Sequence, residues 1–269
     1  MKYNFFSILK TGALAIFLSL SLAGCAQNNK SAGLDSADPQ TETSADQTPD
    51  QVAEQAVPQQ TGPKKVSILG DSYSTFAGWL SSPENLAWYK PVPKKGRATD
   101  VTDVNQTWWK IFIDEHGYEF EKNNSYSGST ICNTGYGGKD YTDQSFVTRL
   151  TDLGDPDMIL VFGGTNDSWA DAPLGEYVYS DWTPKQLYSI RPATAYMLSE
   201  LKRLHPEAEI VVLINDLQKP EVTESLIEIS NHYGVPYVAL QGIDKMSDHP
   251  SQLGMRQIVD QLNDVLAKK

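Results

Sequence analysis

The sequence predicts an α/β fold in which a parallel sheet lies between two layers of helices. Short apolar runs alternate along the chain with segments whose apolar residues recur at helical spacing, and this alternation is typical of a parallel sheet covered by helices. Two of the runs, residues 158–162 and 210–214, are apolar without a polar residue at every second position. Strands that are covered on both faces have this composition.

Each element can be placed from these patterns. Strands are predicted at residues 66–69, 158–162, 210–214 and 235–240, with a fifth near Tyr118–Glu121. Helices are predicted at residues 107–116, 193–205, 220–233 and 251–267. Residues 79–105 and 171–192 fit neither pattern and carry several aromatic rings. Loops of this length in a compact domain are commonly functional.

The chain before the predicted domain has two parts. Residues 1–24 hold Lys2 and Lys10 followed by a short apolar run, which is typical of a secretory signal peptide. That run ends in Leu22-Ala23-Gly24-Cys25, which resembles the lipobox of bacterial lipoproteins and predicts a lipid on Cys25. An ordinary signal peptide with an incidental cysteine is the alternative.

Residues 25–63 are polar and acidic and contain no aromatic residue, so we expect a disordered tether. The folded domain is then predicted at residues 64–269. Together these features predict an exported lipoprotein that is anchored to a membrane through Cys25, either periplasmic or at the cell surface.

The charge and the cysteines exclude several classes of function. After the +2 of residues 1–24 and the −5 of residues 25–63 are set aside, the domain keeps −9 of the total −12. An acidic domain is a poor partner for nucleic acid. Cys132 is the only thiol of the domain, and no cluster of His and Cys has the spacing of a zinc site. We therefore expect no metal, no other cofactor and a small-molecule or glycan substrate.

The residues after the predicted strands carry the chemistry, because ligands of open parallel sheets bind beyond the carboxyl ends of the strands. Ser72 follows the first run, Asn166 follows the second and His249 lies beyond the last. A hydroxyl, a hydrogen-bond donor and a base at one edge can perform nucleophilic acyl transfer. Ser72 could instead turn the chain or cap a helix, and Asn166 could cap a loop.

Four histidines allow the base to be chosen by elimination. His116, His205 and His232 all fall in the last turn of a predicted helix, where a partial positive charge suits the helix dipole. His249 alone lies in a strand-to-helix loop at the predicted catalytic edge. It is therefore the candidate base.

Four ordered blocks resemble those of SGNH hydrolases, also called GDSL-like esterases. The resemblance covers essentially the whole domain, and its blocks are Gly70-Asp71-Ser72-Tyr73-Ser74, Ser127-Gly128-Ser129, Gly164-Thr165-Asn166-Asp167 and His249-Pro250. It implies a flavodoxin-like three-layer α/β/α fold with about five strands, and ester hydrolysis through an acyl-enzyme.

The resemblance also implies roles for individual residues. Ser72 would be the nucleophile, and its backbone N–H would form the oxyanion hole with the Gly128 N–H and the Asn166 side chain. His249 would be the general base and then the general acid. Glycine at position 128 leaves room for a substrate close to the backbone, and Asn166 supplies a neutral donor.

One position departs from the family pattern. SGNH hydrolases usually have an Asp three residues before the His, and this chain has Met246 there. Asp248 is adjacent to His249 and poorly placed to reach its Nδ1 atom. We expect Asp244 to take the role through a longer loop, with a backbone carbonyl that orients a Ser–His dyad as the alternative.

The expected substrate is an acylated carbohydrate. The predicted loops carry Trp79, Trp88 and Trp182, and aromatic rings stack on sugar faces, so we expect these three to bind substrate of a carbohydrate acetyl esterase. A lipid-directed acylhydrolase (a lipase or lysophospholipase) is an alternative, although neither loop forms an apolar lid. A non-catalytic glycan-binding protein on the same scaffold is the other.

Overall fold

The computed structural model describes residues 62–268. The predicted signal peptide, the predicted lipidation of Cys25 and all but the last two residues of the predicted tether lie outside these described residues, and they stay predictions. Within residues 62–268, no helix has both the length and the apolar character that crossing a bilayer requires.

One sheet of parallel strands forms the centre of the domain. Its strands are β1 (Lys65–Gly70), β2 (Glu119–Asn123), β3 (Met158–Gly163), β4 (Glu209–Ile214) and β5 (Tyr237–Ala239). They lie in the order β2-β1-β3-β4-β5, and every neighbouring pair is parallel. This is the strand order of flavodoxin-like folds, so the predicted fold class is confirmed.

Helices cover both faces of this sheet. Those within the described residues are α1 (Trp108–Glu115), α2 (Phe146–Arg149), α3 (Thr165–Trp169), α4 (Ile190–Leu204), α5 (Pro220–His232) and α6 (Gln252–Leu266). Helices α1 and α6 pack on one face of the sheet, while α2, α4 and α5 pack on the other. A short antiparallel hairpin of β6 (Lys245–Met246) and β7 (His249–Pro250) precedes α6.

Burial on both faces explains the composition of the central strands. In β3, Met158, Leu160 and Phe162 lie in one apolar cluster, and Ile159 and Val161 lie in the other. Successive side chains of a strand point to opposite faces. Every position of such a strand must therefore be apolar, which is why the run shows no alternation.

Three short elements and one helix start differ from the predictions. Helix α4 begins at Ile190 rather than Ala193. Pro192 falls in its first turn, where backbone N–H groups have no hydrogen-bond partner within the helix, so a residue without an N–H is tolerated there. Helices α2 and α3 and the hairpin were not predicted, since segments of two to five residues are too short to show a period.

The topology brings two of the candidate residues together. Strands β1 and β3 are neighbours, but the chain continues from β1 toward β2 on one side and from β3 toward β4 on the other. A crevice forms at the carboxyl ends of the strands where the connections diverge. Ser72 follows β1 and Asn166 follows β3, so both lie at this switch point.

Candidate active site

Ser72 is presented by a single tight turn at the end of β1. It opens a one-turn 3₁₀ helix that Asp71 caps, with Asp71 Oδ1 accepting from the Tyr73 N–H at 3.0 Å. Gly70 allows the turn, because a Cβ at this position would lie 2.6 Å from side-chain atoms of Ser74 and Ser125. Ser72 is buried, with 5% of its surface exposed.

The structure brings Ser72 and His249 into direct contact. The distance between Ser72 Oγ and His249 Nε2 is 2.8 Å, and that between His249 Nδ1 and the Ser247 carbonyl oxygen is 2.9 Å. A carbonyl only accepts, so the proton of the neutral ring lies on Nδ1. Nε2 is left as the acceptor that faces the Ser72 hydroxyl, which is the tautomer a general base needs.

A two-residue hairpin turn explains how Ser247 reaches the ring. Met246 pairs with His249 across the hairpin, and Ser247 and Asp248 both have positive φ, at 49° and 59°. Positive φ at both central residues defines a type I′ turn. The Tyr73 hydroxyl donates to the Asp248 carbonyl and so fixes the turn beside the nucleophile.

The prediction that Asp244 orients His249 is wrong in this structure. Its carboxylate accepts from the Ser251 hydroxyl, and Ser251 caps α6 by accepting from the Gly254 N–H at 3.1 Å. Asp244 lies before the hairpin, whose tight turn directs the Ser247 carbonyl to Nδ1. The structure therefore matches the alternative of a Ser–His dyad with a backbone carbonyl, and within the described residues the Asp248 carboxylate has no hydrogen bond with the ring.

Trp88 covers the face of the imidazole ring. The two rings are parallel within 3°, and their centroids are 3.4 Å apart. The Arg97 guanidinium lies 4.0 Å from the centroid of the Trp88 ring. Because His249 already occupies one face of the indole at contact distance, Arg97 has room only over the other. Trp88 is thus held between a neutral imidazole and a cation.

The other two predicted substrate-binding tryptophans lie elsewhere. Trp79 packs on Trp109 and Phe120, on the side of the sheet that α1 covers. The Trp182 indole N–H donates to the Val178 carbonyl at 2.8 Å, and its ring packs edge-on against Tyr196 of α4. The structure brings neither of them to Ser72 or His249, and of the three only Trp88 joins the pair.

Burial controls the protonation of His249. Desolvation lowers its pKa to about 4, and the nearby positive charge of Arg97 acts in the same direction. The hydrogen bond to the Ser247 carbonyl acts in the opposite direction. The ring is therefore neutral at pH 7 and can accept a proton.

The sequence predicts an oxyanion hole made of three N–H groups, those of the Ser72 and Gly128 backbone and of the Asn166 side chain. Neither the Ser72 N–H nor the Gly128 N–H has a hydrogen-bond partner within the described residues. Gly128 has a φ of 89°, and a Cβ there would meet nothing within 4 Å, so the backbone is open to a ligand. Asn166 Nδ2 donates to the Ser129 carbonyl at 3.0 Å and more weakly to Asp71 Oδ2 at 3.4 Å.

Asn166 is itself held in one orientation. The Tyr136 hydroxyl donates to Asn166 Oδ1 at 2.8 Å, which leaves Nδ2 toward the loop after β2. Next to it, the buried Asp167 carboxylate accepts from the Ile131 and Cys132 N–H groups at 2.8 and 3.0 Å. Asp167 thus fixes the chain just beyond Gly128. The position of Asp167 in the third sequence block was the signal that could have identified it as a functional residue.

A buried arginine ties the loops of the site together. Arg149 of α2 donates to the carbonyl of Gly70, the last residue of β1, and to that of Asn124, which follows β2. It also donates to the Ser129 hydroxyl at 2.8 Å. Burial lowers the pKa of Arg149 to about 9, while the charge of Asp71 acts in the opposite direction. Nothing in the sequence singled out Arg149, because its function depends on contacts over long chain separations.

Comparison with known proteins places the chain in a family. Residues 64–266 match the family described as GDSL-like lipase/acylhydrolase, and the chain belongs to it. No curated protein matches the chain. Among the described residues, no three His, Cys, Asp or Glu side chains are grouped so that they could hold a metal ion.

Two solved structures are similar over most of the chain. One is a Bacteroides ovatus protein named as a GDSL-like lipase, at 50% identity and a TM-score of 0.76, with 77% of this chain and 100% of that chain covered. A Bacteroides uniformis protein named in the same way has 54% identity and a TM-score of 0.75, with 78% and 98% covered.

A more distant structure shares the fold alone. It is a family two carbohydrate esterase from Clostridium thermocellum, at 16% identity and a TM-score of 0.51, with 77% of this chain and 65% of that chain covered.

Proposed function

We propose that this protein is a serine esterase that removes acetyl or similarly small acyl groups from carbohydrates. The observation that carries the proposal is the 2.8 Å contact between Ser72 Oγ and His249 Nε2, with Nδ1 held by a carbonyl. Membership in the GDSL-like lipase/acylhydrolase family supports ester hydrolysis.

The first half of the reaction forms an acyl-enzyme. Ser72 Oγ attacks the ester carbonyl carbon while its proton passes to His249 Nε2. The Ser72 and Gly128 N–H groups and Asn166 Nδ2 stabilise the oxyanion. Asn166 exchanges its long 3.4 Å contact with Asp71 for one with the oxyanion. As the C–O bond breaks, His249 returns the proton to the leaving alcohol.

The second half reverses these roles. A water molecule attacks the acyl carbon while His249 Nε2 takes a water proton. As the bond from the acyl carbon to Ser72 Oγ breaks, His249 returns that proton to Oγ, which releases the acid and frees Ser72. The Ser247 carbonyl accepts from Nδ1–H throughout, and so stabilises the imidazolium by a dipole rather than by a full charge.

Two observations favour a carbohydrate ester with a small acyl group. Trp88 is not one of them, because His249 covers one face of its ring and Arg97 covers the other. The domain is acidic, which disfavours binding to anionic lipid surfaces. A protein with the same fold is a carbohydrate esterase whose structure holds cellohexaose.

The test is a chain-length series of nitrophenyl esters, from acetate upward, with wild type and Ser72→Ala. Acetate should be the best substrate, and Ser72→Ala should lower kcat about 10⁴-fold or more. Ser74→Ala is the matched control, because the buried Ser74 hydroxyl has no hydrogen-bond partner within the described residues, and it should keep most of the activity.

Other outcomes would support the alternative functions. A preference for long acyl chains would indicate a lipid-directed acylhydrolase. No turnover of any ester, together with no labelling of Ser72 by a fluorophosphonate, would leave a non-catalytic glycan-binding protein.

A further inference from the structure

An unusually basic segment lies in the loop that carries Trp88. Residues 90–97, Lys-Pro-Val-Pro-Lys-Lys-Gly-Arg, hold four cationic side chains and no acidic one. This segment, called here the basic segment, belongs to a protein whose net charge is −12. The basic segment is therefore a positively charged patch on a protein of net negative charge.

Its four cations are not neutralised by acidic side chains of the described residues. Within residues 62–268, none of the Lys90, Lys94, Lys95 and Arg97 side chains takes part in an ion pair or a hydrogen bond. Cations elsewhere do pair, as Lys122 does with Asp152 at 2.6 Å. The next acidic residue along the chain, Asp100, accepts from the Gln252 N–H at the start of α6, at 2.9 Å.

The basic segment is tied to the catalytic pair at its Arg97 end. The Arg97 guanidinium stacks on Trp88 at 4.0 Å, and Trp88 stacks on His249. The following residue, Ala98, donates its N–H to the Ser247 hydroxyl at 3.1 Å. Arg97 is thus fixed one ring away from the imidazole.

A turn brings the backbone of Lys94 close to that of Arg97. The Arg97 N–H donates to the Lys94 carbonyl at 3.0 Å, and Gly96 between them has a φ of 86°. Positive φ at the third residue of such a turn defines type II, which suits glycine. The turn folds Lys94 back beside Arg97, and the two charges reinforce each other.

We propose that the basic segment binds an anionic group of the substrate, a carboxylate or a sulfate on the acylated sugar, with Arg97 as its main contact. A guanidinium offers paired N–H donors that match both oxyanions, and stacking on Trp88 holds the group in place at little further entropic cost. The inference rests on the proposed esterase function and specifies its substrate class as an acidic glycan ester.

The test compares sugars that differ in one group. Acetylated methyl glucuronoside carries a carboxylate where acetylated methyl glucoside carries a hydroxymethyl group, and the 6-sulfate of the glucoside supplies the other anion. Wild type should prefer one or both anionic esters over the neutral one by about tenfold or more in kcat/KM. Arg97→Gln should remove that preference, so that the ratio of kcat/KM between the anionic and the neutral esters falls to about one.

The matched control is Lys268→Gln. It removes the same charge, but Lys268 lies beyond the far end of α6, the helix that starts beside the site. This variant should keep the preference. Added salt should weaken the preference of wild type, because it screens exposed charges.

Failure of this inference is distinct from failure of the esterase proposal. Equal kcat/KM for all three esters in wild type, or an unchanged preference in Arg97→Gln, would overturn the anion site and leave the esterase intact. If no ester is hydrolysed, calorimetric binding of the same sugars to Ser72→Ala decides, and equal affinities overturn the anion site. The protein could instead bind vesicles of anionic lipid through Arg97 and show no preference among the sugars. That result would assign the basic segment to a membrane and overturn the inference.

Discussion

At the scale of single residues, His249 relies on a neutral partner for its orientation. The Ser247 carbonyl fixes the tautomer, as a carboxylate would, but it stabilises the imidazolium less because it carries no full charge. Burial beneath Trp88 further lowers the pKa of His249, to about 4. The ring is therefore reliably neutral before reaction but gains less stabilisation when it is protonated.

Asp244 should matter for stability and not for catalysis. Asp244→Asn weakens the hydrogen bond from the Ser251 hydroxyl and with it the cap of α6. We expect a loss of about 1 kcal/mol in the free energy of unfolding, measured by urea denaturation. Turnover of a nitrophenyl ester should stay within about threefold of wild type, because a carboxylate that does not touch Nδ1 adds little to the barrier.

Asp248→Asn is the matched control for this prediction. It changes the other nearby carboxylate, whose side chain has no hydrogen bond within the described residues, and Asn tolerates the positive φ of the turn. Both the stability and the turnover should stay close to wild type. If Asp244→Asn instead slows turnover by about two orders of magnitude or more, the carboxylate must reach the ring during the reaction.

The hairpin shows why the partner of His249 could not be predicted from the sequence. Met246 in place of the family Asp showed that the usual acid was missing. The carbonyl that replaces it depends on positive φ at Ser247 and Asp248, and neither residue type requires that conformation. Spacing alone left Asp244 and a carbonyl both open, and backbone geometry decided between them.

At the scale of elements, the strands and helices with long sequence patterns were predicted, whereas the contacts made by loops were not. Strands β3 and β4 are covered on both sides, and helices α5 and α6 bury one stripe. Such elements leave a strong periodic or apolar pattern. The loop with Trp88 and Arg97 has no period, so its aromatic content was evident from the sequence but the stack on His249 was not.

The Trp88 stack should set the pH range of activity. His249 acts as base only when it is unprotonated, so kcat/KM falls as the pH drops through its pKa, and the acidic limb of wild type should lie near pH 4. Trp88→Ala exposes the ring to water and removes the anchor of Arg97. Both changes favour the protonated ring, so the pKa of His249 rises. The pH below which kcat/KM falls should therefore move toward about pH 6.5.

The measurement is the pH profile of kcat/KM on a neutral nitrophenyl ester. Trp88→Ala should also lower kcat about tenfold at about pH 8, through a less fixed imidazole. Trp88→Phe keeps an aromatic face and should leave the limb close to that of wild type. An acidic limb at the same pH in all three proteins would mean that Trp88 has no influence on the ionisation of His249.

At the scale of the whole molecule, the site is assembled around buried charges. Asp71, Asp167 and Arg149 are all buried, and together they hold the loops after β1, β2 and β3. Burial raises the pKa of Asp71 to about 7 and raises that of Asp167 above its usual range. The geometry that fixes the nucleophile therefore carries a desolvation cost when its carboxylates ionise.

This cost should appear in the dependence of stability on pH. The pKa of Asp71 is raised in the folded protein, so between about pH 4 and 7 the folded chain holds a proton that the unfolded chain has lost. The contribution of Asp71 to stability is then greatest below about pH 4 and is lost as the pH rises toward 7. Asp71→Asn keeps an acceptor for the Tyr73 N–H but cannot ionise. Its free energy of unfolding therefore does not fall for this reason as the pH rises.

The free energy of unfolding of Asp71→Asn minus that of wild type should therefore rise with pH, by on the order of 1 kcal/mol per pH unit between about pH 4 and 7. A constant offset from the altered contact with Asn166 does not affect this slope, and the titration of His249 cancels in the difference. Asp143→Asn, at an exposed carboxylate, is the control and should give a flat difference. Urea denaturation at several pH values across this range measures both, and a flat line for Asp71→Asn would mean that Asp71 ionises as easily in the folded protein as in the unfolded chain.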